Sequence, residues 1–281
     1  MSVLWRLREH FCLLCTGIFL LTFSSPALAE VMGEDSIWRM PRDVSLEGHR
    51  ISWLIDITMV FLIILFVIMV VWMCIAIFKH NASHTAEFDH GSGKSQVVFA
   101  LGLSTVIFVI VDGNLWVNSL IDLEEVFWNS ELYNDTDAIQ IEINAHQWAW
   151  DARYAGSDGE FNTADDIISL NDIRIPVDTP VVVQLASPDV IHSFNLPNLR
   201  IKQDAVPGNV TPLQFQAVET GEFDIACAQH CGAHHYKMKG RLIILSKEAY
   251  AAWATEASAR GVLAYNPDDI VAHWGWPWQE F

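Results

Sequence analysis

The stretch that decides the fold class and the chemistry is Cys227-Ala228-Gln229-His230-Cys231-Gly232-Ala233-His234-His235-Tyr236-Lys237-Met238. It combines two cysteines, several histidines and a methionine within one short segment. Thiolate, imidazole and thioether are soft ligands that together suit copper, whereas zinc has little use for methionine. A disulfide between Cys227 and Cys231 is the simplest alternative, but it leaves His235 and Met238 unexplained.

The second cysteine changes the kind of copper site that the loop predicts. A mononuclear blue-copper site uses one cysteine, two histidines and a weak methionine. Two thiolates on one loop can instead bridge two metals, with one imidazole for each metal, so the second imidazole must come from elsewhere. His192, in the extended segment 189–194, is the candidate. Such a centre spreads one electron over two coppers and suits electron relay rather than bond-making.

The sequence around this loop is typical of an all-β domain. Short alternating runs separated by Pro, Gly, Asn and Asp clusters indicate an antiparallel sandwich or barrel, which we assign to residues 131–247. Residues 248–281 follow as a C-terminal helix and a Trp-rich tail. Three exposed tryptophans are unfavourable, so we expect this tail to pack on a neighbouring subunit.

Two long apolar runs precede the β domain. Residues 57–78 carry no charge, and residues 95–121 carry only Asp112. Each run is long enough to cross about 30 Å of hydrocarbon as a helix, so we predict transmembrane helices at 53–79 and 95–122 with a loop at 80–94. Asp112 is either a functional carboxylate or part of a polar seam, with Asn114 and Asn118, that faces a partner helix.

The first 29 residues are typical of a secretory signal, with an apolar run and an Ala-x-Ala site at 27–29, although a third membrane anchor is the alternative. Cleavage there makes 30–52 a periplasmic N-terminal segment, the loop 80–94 cytoplasmic and the β domain periplasmic. The arginines before the first span favour the opposite orientation. We give the signal more weight.

The composition agrees with a membrane anchor joined to an acidic domain. Of the 281 residues 52% are hydrophobic and the mean hydropathy is +0.25, yet the net charge is −18. High apolar content and only 5 cysteines exclude collagen-like, disordered and disulfide-framework classes. Acidity disfavours a nucleic-acid partner. It is either a solvated surface or a docking face for a basic protein.

The motifs together resemble subunit II of the cytochrome c oxidases. They are Cys-x3-Cys-x3-His-x2-Met in the loop, His192 in Asp-Val-Ile-His-Ser-Phe, the segment 202–208, and His-Gln-Trp-Ala-Trp at 146–150. The resemblance covers nearly all of the mature chain. It implies a membrane hairpin of two transmembrane α-helices that carries an all-β, cupredoxin-like Greek-key sandwich or barrel domain.

The resemblance also implies roles for individual residues. The ligands of a dinuclear copper centre, CuA, would be His192, Cys227, the backbone carbonyl of Gln229, Cys231, His235 and Met238. The two cysteines bridge the metals, and the methionine and the carbonyl are weak ligands. Trp148 would receive the electron from cytochrome c.

The implied function is that of a redox relay in a bacterial inner membrane. Electrons would pass from a basic cytochrome c to the copper pair and then to haem in subunit I, where oxygen reduction is coupled to proton translocation; subunit III is a further partner. The alternatives are the copper subunit of a nitric oxide or nitrous oxide reductase system, and a membrane-anchored copper chaperone. A quinol-oxidase subunit normally lacks the cysteine pair.

Departures from the family pattern weaken some expectations. Gln229 stands where the family usually has a glutamate that helps to hold magnesium at the subunit I boundary; glutamine offers only a neutral oxygen, which disfavours a magnesium site at Asp204 and Gln229. His230 and His234 are off the family spacing, and we expect them to form hydrogen bonds with neighbours or to contact subunit I. The acidic insert at 158–166 lacks the full calcium-loop spacing, which favours a solvated turn over calcium.

Overall fold

A computed structural model describes residues 40–279 apart from 86, 128–129, 136, 270–273 and 277. The predicted signal peptide, residues 1–29, lies outside the described residues, as do residues 30–39 of the segment 30–52. The described residues from Asp43 onward belong to one compact unit.

Two long apolar helices come first. Helix α1 runs over Gly48–Lys79, and helix α2 runs over Lys94–Phe127 with π-helical turns at Phe108–Asp112 and Leu123–Phe127. Both are long and apolar enough to cross a bilayer. They extend beyond the predicted spans, because α1 begins five residues before 53 and α2 continues past 122.

An arginine joins the start of α1 to the end of α2. Arg50 Nε lies 2.7 Å from Asp122 Oδ1, and Arg50 Nη1 lies 3.6 Å from Glu125 Oε2. These charges belong at the membrane boundary, since a lone charge in hydrocarbon is costly. A short helix, α3 (Ser130–Tyr133), then leads into the β domain.

The β domain consists of two five-stranded sheets. The first sheet contains β1 (Ile139–His146), β2 (Ala149–Tyr154), β3 (Ile167–Leu170), β5 (Pro180–Ala186) and β8 (Thr211–Gln216), in the order β3-β2-β1-β5-β8. The second contains β4 (Asp172–Pro176), β6 (His192–Leu196), β7 (Ile201–Ala205), β9 (Gly221–Cys227) and β10 (Lys239–Leu245), in the order β4-β10-β9-β6-β7. The all-β sandwich fold is thus confirmed.

The expectation of a purely antiparallel domain is wrong. β1 pairs parallel with β5, and β4 pairs parallel with β10, while the other pairs are antiparallel. The chain changes sheets between β3 and β4 and again between β4 and β5. Strands that return to a sheet after such a crossing need not alternate in direction, and local alternation in sequence does not reveal their pairing.

The inner faces of the sheets form one hydrophobic core around Trp150. Its ring packs edge-on against Phe194 of the facing sheet at 5.2 Å, and against His192 at 6.2 Å. Alternating residues of β1 supply Ile141, Ile143 and other fully buried side chains. The core therefore supports the segment in which His192 begins strand β6.

The C-terminal part lies against the β domain. Helix α4 (Lys247–Ala264) begins at Ser246, whose side chain accepts a hydrogen bond from the Ala249 amide. Beyond it, residues 274–276 and 278–279, here called the Trp strap, cover the outer face of the first sheet. Trp276 Nε1 donates to Gln184 Oε1 at 2.9 Å, and Gln184 Nε2 donates to the Gln279 carbonyl at 2.7 Å.

The strap covers a group of buried charges, here called the outer-face cluster: Glu142, Arg153 and Asp166. Glu142 Oε2 lies 3.7 Å from Arg153 Nη1, and Asp166 Oδ2 lies 3.3 Å from Arg153 Nε. The Trp274 ring lies 4.3 Å from the Arg153 guanidinium. The described residues of the tail therefore contact their own chain, and packing of the tail on a neighbouring subunit stays a prediction.

Candidate metal centre

Three strand ends bring the candidate ligands to one edge of the second sheet. His192 begins β6, Cys227 ends β9, and Met238 directly precedes β10. The backbone closes the base of the loop 227–238, here called the metal loop. The Cys227 amide donates to the Met238 carbonyl at 3.1 Å, and the Ala228 amide donates to the Ser193 carbonyl at 3.0 Å. His192 is thus fixed beside the loop.

The sulfur atoms of the loop lie close together without being bonded. Cys227 Sγ and Cys231 Sγ are 3.7 Å apart, whereas a disulfide is about 2.05 Å long, and both cysteines are free. Cys231 Sγ lies 3.6 Å from His235 Nδ1 and 3.7 Å from Met238 Sδ. The ligand atoms of His192, Cys227 and Cys231 all lie within 4.8 Å of one another.

The two ring nitrogens of His192 face different groups. Nδ1 lies 3.1 Å from Met238 Sδ, and Nε2 lies 2.9 Å from Asp189 Oδ1. A carboxylate on the second nitrogen is the usual way in which proteins orient a metal-binding histidine. Burial opposes ionisation of Asp189, but hydrogen bonds from His192 and from backbone amides outweigh it and lower the pKa of the carboxyl to about 2.

Burial controls the state of the thiols. Cys231 and Met238 are 3% and 1% exposed, and burial, reinforced by the neighbouring Cys227, raises the pKa of Cys231 to about 11. The thiol therefore keeps its proton at neutral pH unless a cation replaces that proton. His192, Cys227 and Cys231 form the cluster, His235 and Met238 lie beside Cys231, and the Gln229 carbonyl oxygen lies 3.1 Å from Cys227 Sγ. This donor set fits soft metal ions.

Trp148 lies directly beside the metal loop. An ideal Cβ on Gly232 would be 3.2 Å from Trp148 Cζ2, so glycine permits this close approach. The His234 ring packs edge-on against the Trp148 ring at 4.5 Å, and His230 lies against His235 at 5.6 Å. Both off-pattern histidines thus contact neighbouring rings.

Two residues that the sequence analysis missed hold these parts together. Gln147 donates through its amide to Asp189 Oδ2 at 2.7 Å, and through Nε2 to the Cys231 carbonyl at 2.8 Å. The same Asp189 binds His192. Gln147 and Asp189 therefore connect Trp148, the loop and the histidine. The order Asp-x-x-His was the available signal for Asp189, since a carboxylate near a ligand histidine is a common partner.

The two hard-cation predictions stay predictions. Asp204 in β7 and Gln229 in the metal loop are both exposed. In the insert 158–166, Asp165 accepts hydrogen bonds from the hydroxyls of Ser157 and Thr163, which hold the pKa of Asp165 well below its usual range. The insert thus forms a turn in which hydrogen bonds from its own residues stabilise this carboxylate.

A family model described as "Cytochrome C oxidase subunit II, periplasmic domain" matches residues 127–246. The chain is 30% identical over 209 residues to "Alternative cytochrome c oxidase subunit 2" of Bradyrhizobium diazoefficiens, which covers 66% of this chain and 72% of the relative. It is 29% identical over 172 residues to cytochrome c oxidase subunit 2 of Synechocystis, which covers 57% of this chain and 47% of that relative. The chain thus spans about half the length of the latter protein.

A solved structure is also similar to the β domain. It is the periplasmic domain of subunit II of cytochrome oxidase of Bradyrhizobium japonicum, with a TM-score of 0.40 and 25% sequence identity. The match covers 45% of this chain and 97% of that one.

Proposed function

The chain belongs to the cytochrome c oxidase subunit II family, and from that premise we propose that it relays electrons from cytochrome c to subunit I through a dinuclear copper centre. Family membership makes it a membrane-anchored subunit of an oxidoreductase complex in which subunit I is the partner. The proposal concerns the copper ligands, the route of the electrons and the side of the membrane on which the β domain lies.

The convergence of donors in the metal loop is the observation that carries the proposal. Cys227 and Cys231 would bridge two coppers, because their sulfurs are 3.7 Å apart and free. His192 and His235 would each bind one metal. Met238 and the carbonyl oxygen of Gln229 would be the weak ligands. The bound copper pair would supply one-electron redox chemistry shared between two metals.

The surrounding residues prepare the site for electron relay. Asp189 fixes the ring of His192, the backbone bond at the base of the loop fixes Cys227, and Gln147 donates to the carbonyl of Cys231. His192, Cys231 and Met238 are buried, which excludes water from these three donors. A rigid, dry ligand cage changes little when an electron arrives, so this arrangement favours rapid transfer.

Trp148 is the proposed receiver of electrons from cytochrome c. Its ring lies between the loop at Gly232 and the ring of His234. The region from residue 131 to the end carries 21 acidic residues against 9 Lys and Arg, so its charge of −12 would attract a basic cytochrome c. Because cytochrome c would dock on the β domain, we place this domain on the periplasmic side of a bacterial inner membrane.

The proposed complex is a proton-translocating oxidase. In it subunit I would carry the haem, the oxygen chemistry and the main proton pump, and subunit III would be a further partner. The chaperone alternative uses two cysteines and a distant histidine but has no use for Met238 or Trp148. The reductase alternative shares the ligands and differs in the partner.

The decisive experiment is metal analysis and EPR spectroscopy of the purified complex. We expect two coppers per chain beyond those of subunit I, and a signal of one electron shared by two coppers. A single-copper spectrum would overturn the dinuclear centre. Oxygen consumption driven by reduced cytochrome c separates the oxidase from the reductases, and a rate that falls with ionic strength supports electrostatic docking.

The role of Trp148 needs its own variant. Trp148→Ala should slow electron transfer from cytochrome c while the copper spectrum stays unchanged, since Trp148 contacts the loop without supplying a ligand. His234→Ala, which removes the ring packed on Trp148, is the matched control for a packing effect. A changed copper spectrum in Trp148→Ala would show that its role is structural.

A further inference from the structure

Asp112 lies in the central part of helix α2, which runs over Lys94–Phe127. It precedes Asp122 by ten residues in α2, and Asp122 pairs with Arg50 at the boundary end of the hairpin. At about 1.5 Å per residue, the Asp112 backbone lies about 15 Å deeper along the helix axis. Because the hydrocarbon core is about 30 Å thick, Asp112 is at the bilayer midplane.

Helices α1 and α2, as the structure describes them, supply no hydrogen-bond donor or cation to this carboxylate. In the described chain, which includes all of α1 and α2, no hydrogen bond or ion pair reaches Asp112. At the corresponding depth, α1 has only the apolar side chains of residues 60–64. The nearest hydroxyl along α1, that of Thr58, donates to the Leu54 carbonyl at 2.7 Å. Asp112 is exposed on the surface of the hairpin.

Local helix geometry presents Asp112 on a polar face. A π-helical turn at Phe108–Asp112 ends at this residue, and π turns in α-helices are frequent at functional positions. Trp116 and Ser119, four and seven residues further on, lie on the same face and are exposed. The amide of Asn118 donates instead to Asn114 within the helix, at 2.8 Å to its carbonyl. The polar face is therefore formed by Asp112, Trp116 and Ser119.

We infer that Asp112 is a contact between this chain and the haem-carrying subunit I. Its carboxylate accepts a hydrogen bond from a donor side chain on a transmembrane helix of that subunit, at the bilayer midplane. The inference rests on the proposed function for the identity of the partner. A polar carboxylate without a partner in its own chain is stable at this depth only against protein, because lipid offers no donor.

The test compares retention of subunit I during detergent purification of the complex through a tag on this chain. Asp112→Leu should lower the amount of subunit I per tagged chain about fivefold, as expected for loss of one interhelical hydrogen bond. Leucine makes α2 more apolar, so membrane insertion is preserved. Asp112→Asn keeps an acceptor oxygen at the same position and should retain more subunit I than Asp112→Leu, whereas equal losses in these two variants would contradict a hydrogen bond accepted there.

The control is Asn114→Leu, which removes a polar side chain about 200° around the same helix. We expect it to retain subunit I as the unmodified chain does. Equal retention in Asp112→Leu and the unmodified chain would overturn the inference, as would an equal loss in Asn114→Leu. Copper per chain is measured on the same samples: its absence from the unmodified complex is a failure of the proposed function, whereas Asp112→Leu should leave it unchanged.

Discussion

The metal loop and the outer-face cluster are both buried groups of polar side chains in one β domain, but they are completed in different ways. In the outer-face cluster, the guanidinium of Arg153 lies between the carboxyls of Glu142 and Asp166. In the metal loop, Cys231 Sγ lies 3.7 Å from both Cys227 Sγ and Met238 Sδ, so the neighbours of this thiol are further electron-pair donors. Buried charges are tolerated where the chain supplies groups of opposite charge. A buried set of electron-pair donors is completed only by a bound cation, which the chain does not supply.

In the outer-face cluster, one proton is enough to balance the charges. It has two carboxyls and one guanidinium, and neither carboxyl oxygen of Glu142 has a hydrogen-bond donor among the described residues. Burial is the main reason that the pKa of Glu142 is raised to about 7. The positive charge of Arg153 opposes this rise, and the negative charge of Asp166 adds to it. The comparison therefore predicts that ligand changes in the loop affect metal binding, whereas changes in the cluster affect stability and its pH dependence.

The largest effect is expected from Cys231→Ser. It removes one of two proposed bridging sulfurs, so the shared-electron EPR signal should disappear and copper per chain should fall. Cys74→Ser, a free cysteine in α1, is the matched control and should leave both unchanged. An intact shared-electron signal in Cys231→Ser would contradict the role of the loop in this comparison.

Arg153→Met tests whether Arg153 balances the buried carboxyls of the outer-face cluster. It retains an apolar stem but leaves Glu142 and Asp166 buried without their counter-charge, which should cost about 3–5 kcal/mol of unfolding free energy. Guanidinium unfolding of the complex, followed by tryptophan fluorescence of the β domain, measures this loss, and the copper spectrum before unfolding should be unchanged.

The control for Arg153 is Arg241→Met. Arg241 pairs with Glu222 and Asp172 but its side chain is 55% exposed, so its loss should cost less than about 1 kcal/mol. Similar losses for the two arginines would mean that the outer-face cluster is as solvated as an ordinary surface pair.

Gly275→Ala tests how the Trp strap covers the cluster. An added Cβ would lie 2.6 Å from Arg153 Nη1 and 3.0 Å from Glu142 Oε2, and Gly275 has a φ of +135°. We expect a loss of about 1–3 kcal/mol and faster proteolysis of the tail. Gly159→Ala is the control for backbone strain alone, because its φ is +75° but its added Cβ meets no atom within 4 Å. Equal proteolysis of the tail in the two variants would count against a close contact.

The smallest effect is expected from Glu142→Gln, and it depends on pH. Because the folded-state pKa of Glu142 is raised to about 7, its stabilising contribution is present at low pH and is lost as pH rises from about 4.5 through 7. Glutamine does not titrate. The difference in unfolding free energy between Glu142→Gln and the unmodified chain should therefore shift by about 1–2 kcal/mol in favour of glutamine between pH 5 and pH 8.

A constant difference across this range would mean that Glu142 is ionised throughout.

Local sequence was sufficient for the elements that depend on short-range pattern. The apolar runs predicted two long helices, and α1 and α2 are long and apolar as expected. Alternation predicted an all-β domain at residues 131–247, although not which of its strands run parallel. The spacing of Cys227, Cys231, His235 and Met238 already restricted the chemistry, because these residues share one loop.

Alternation failed at the outer face of the first sheet. Glu142 lies between the core residues Ile141 and Ile143, so the period of two predicts that it faces solvent. It is fully buried, because the Trp strap returns to β1 and β2 from more than 120 residues along the chain. Periodicity identifies the face of a strand, but not what covers that face.

The sequence by itself determined the membrane anchor, the β character of the larger domain and the soft-ligand chemistry of the metal loop, since hydropathy, alternation and spacing are local properties. Only the tertiary structure decided that His192 lies beside Cys227, that Asp189 orients it, and that the Trp strap covers its own chain. Those relations depend on strand pairing and on contacts between distant segments, whose free energies no local pattern contains.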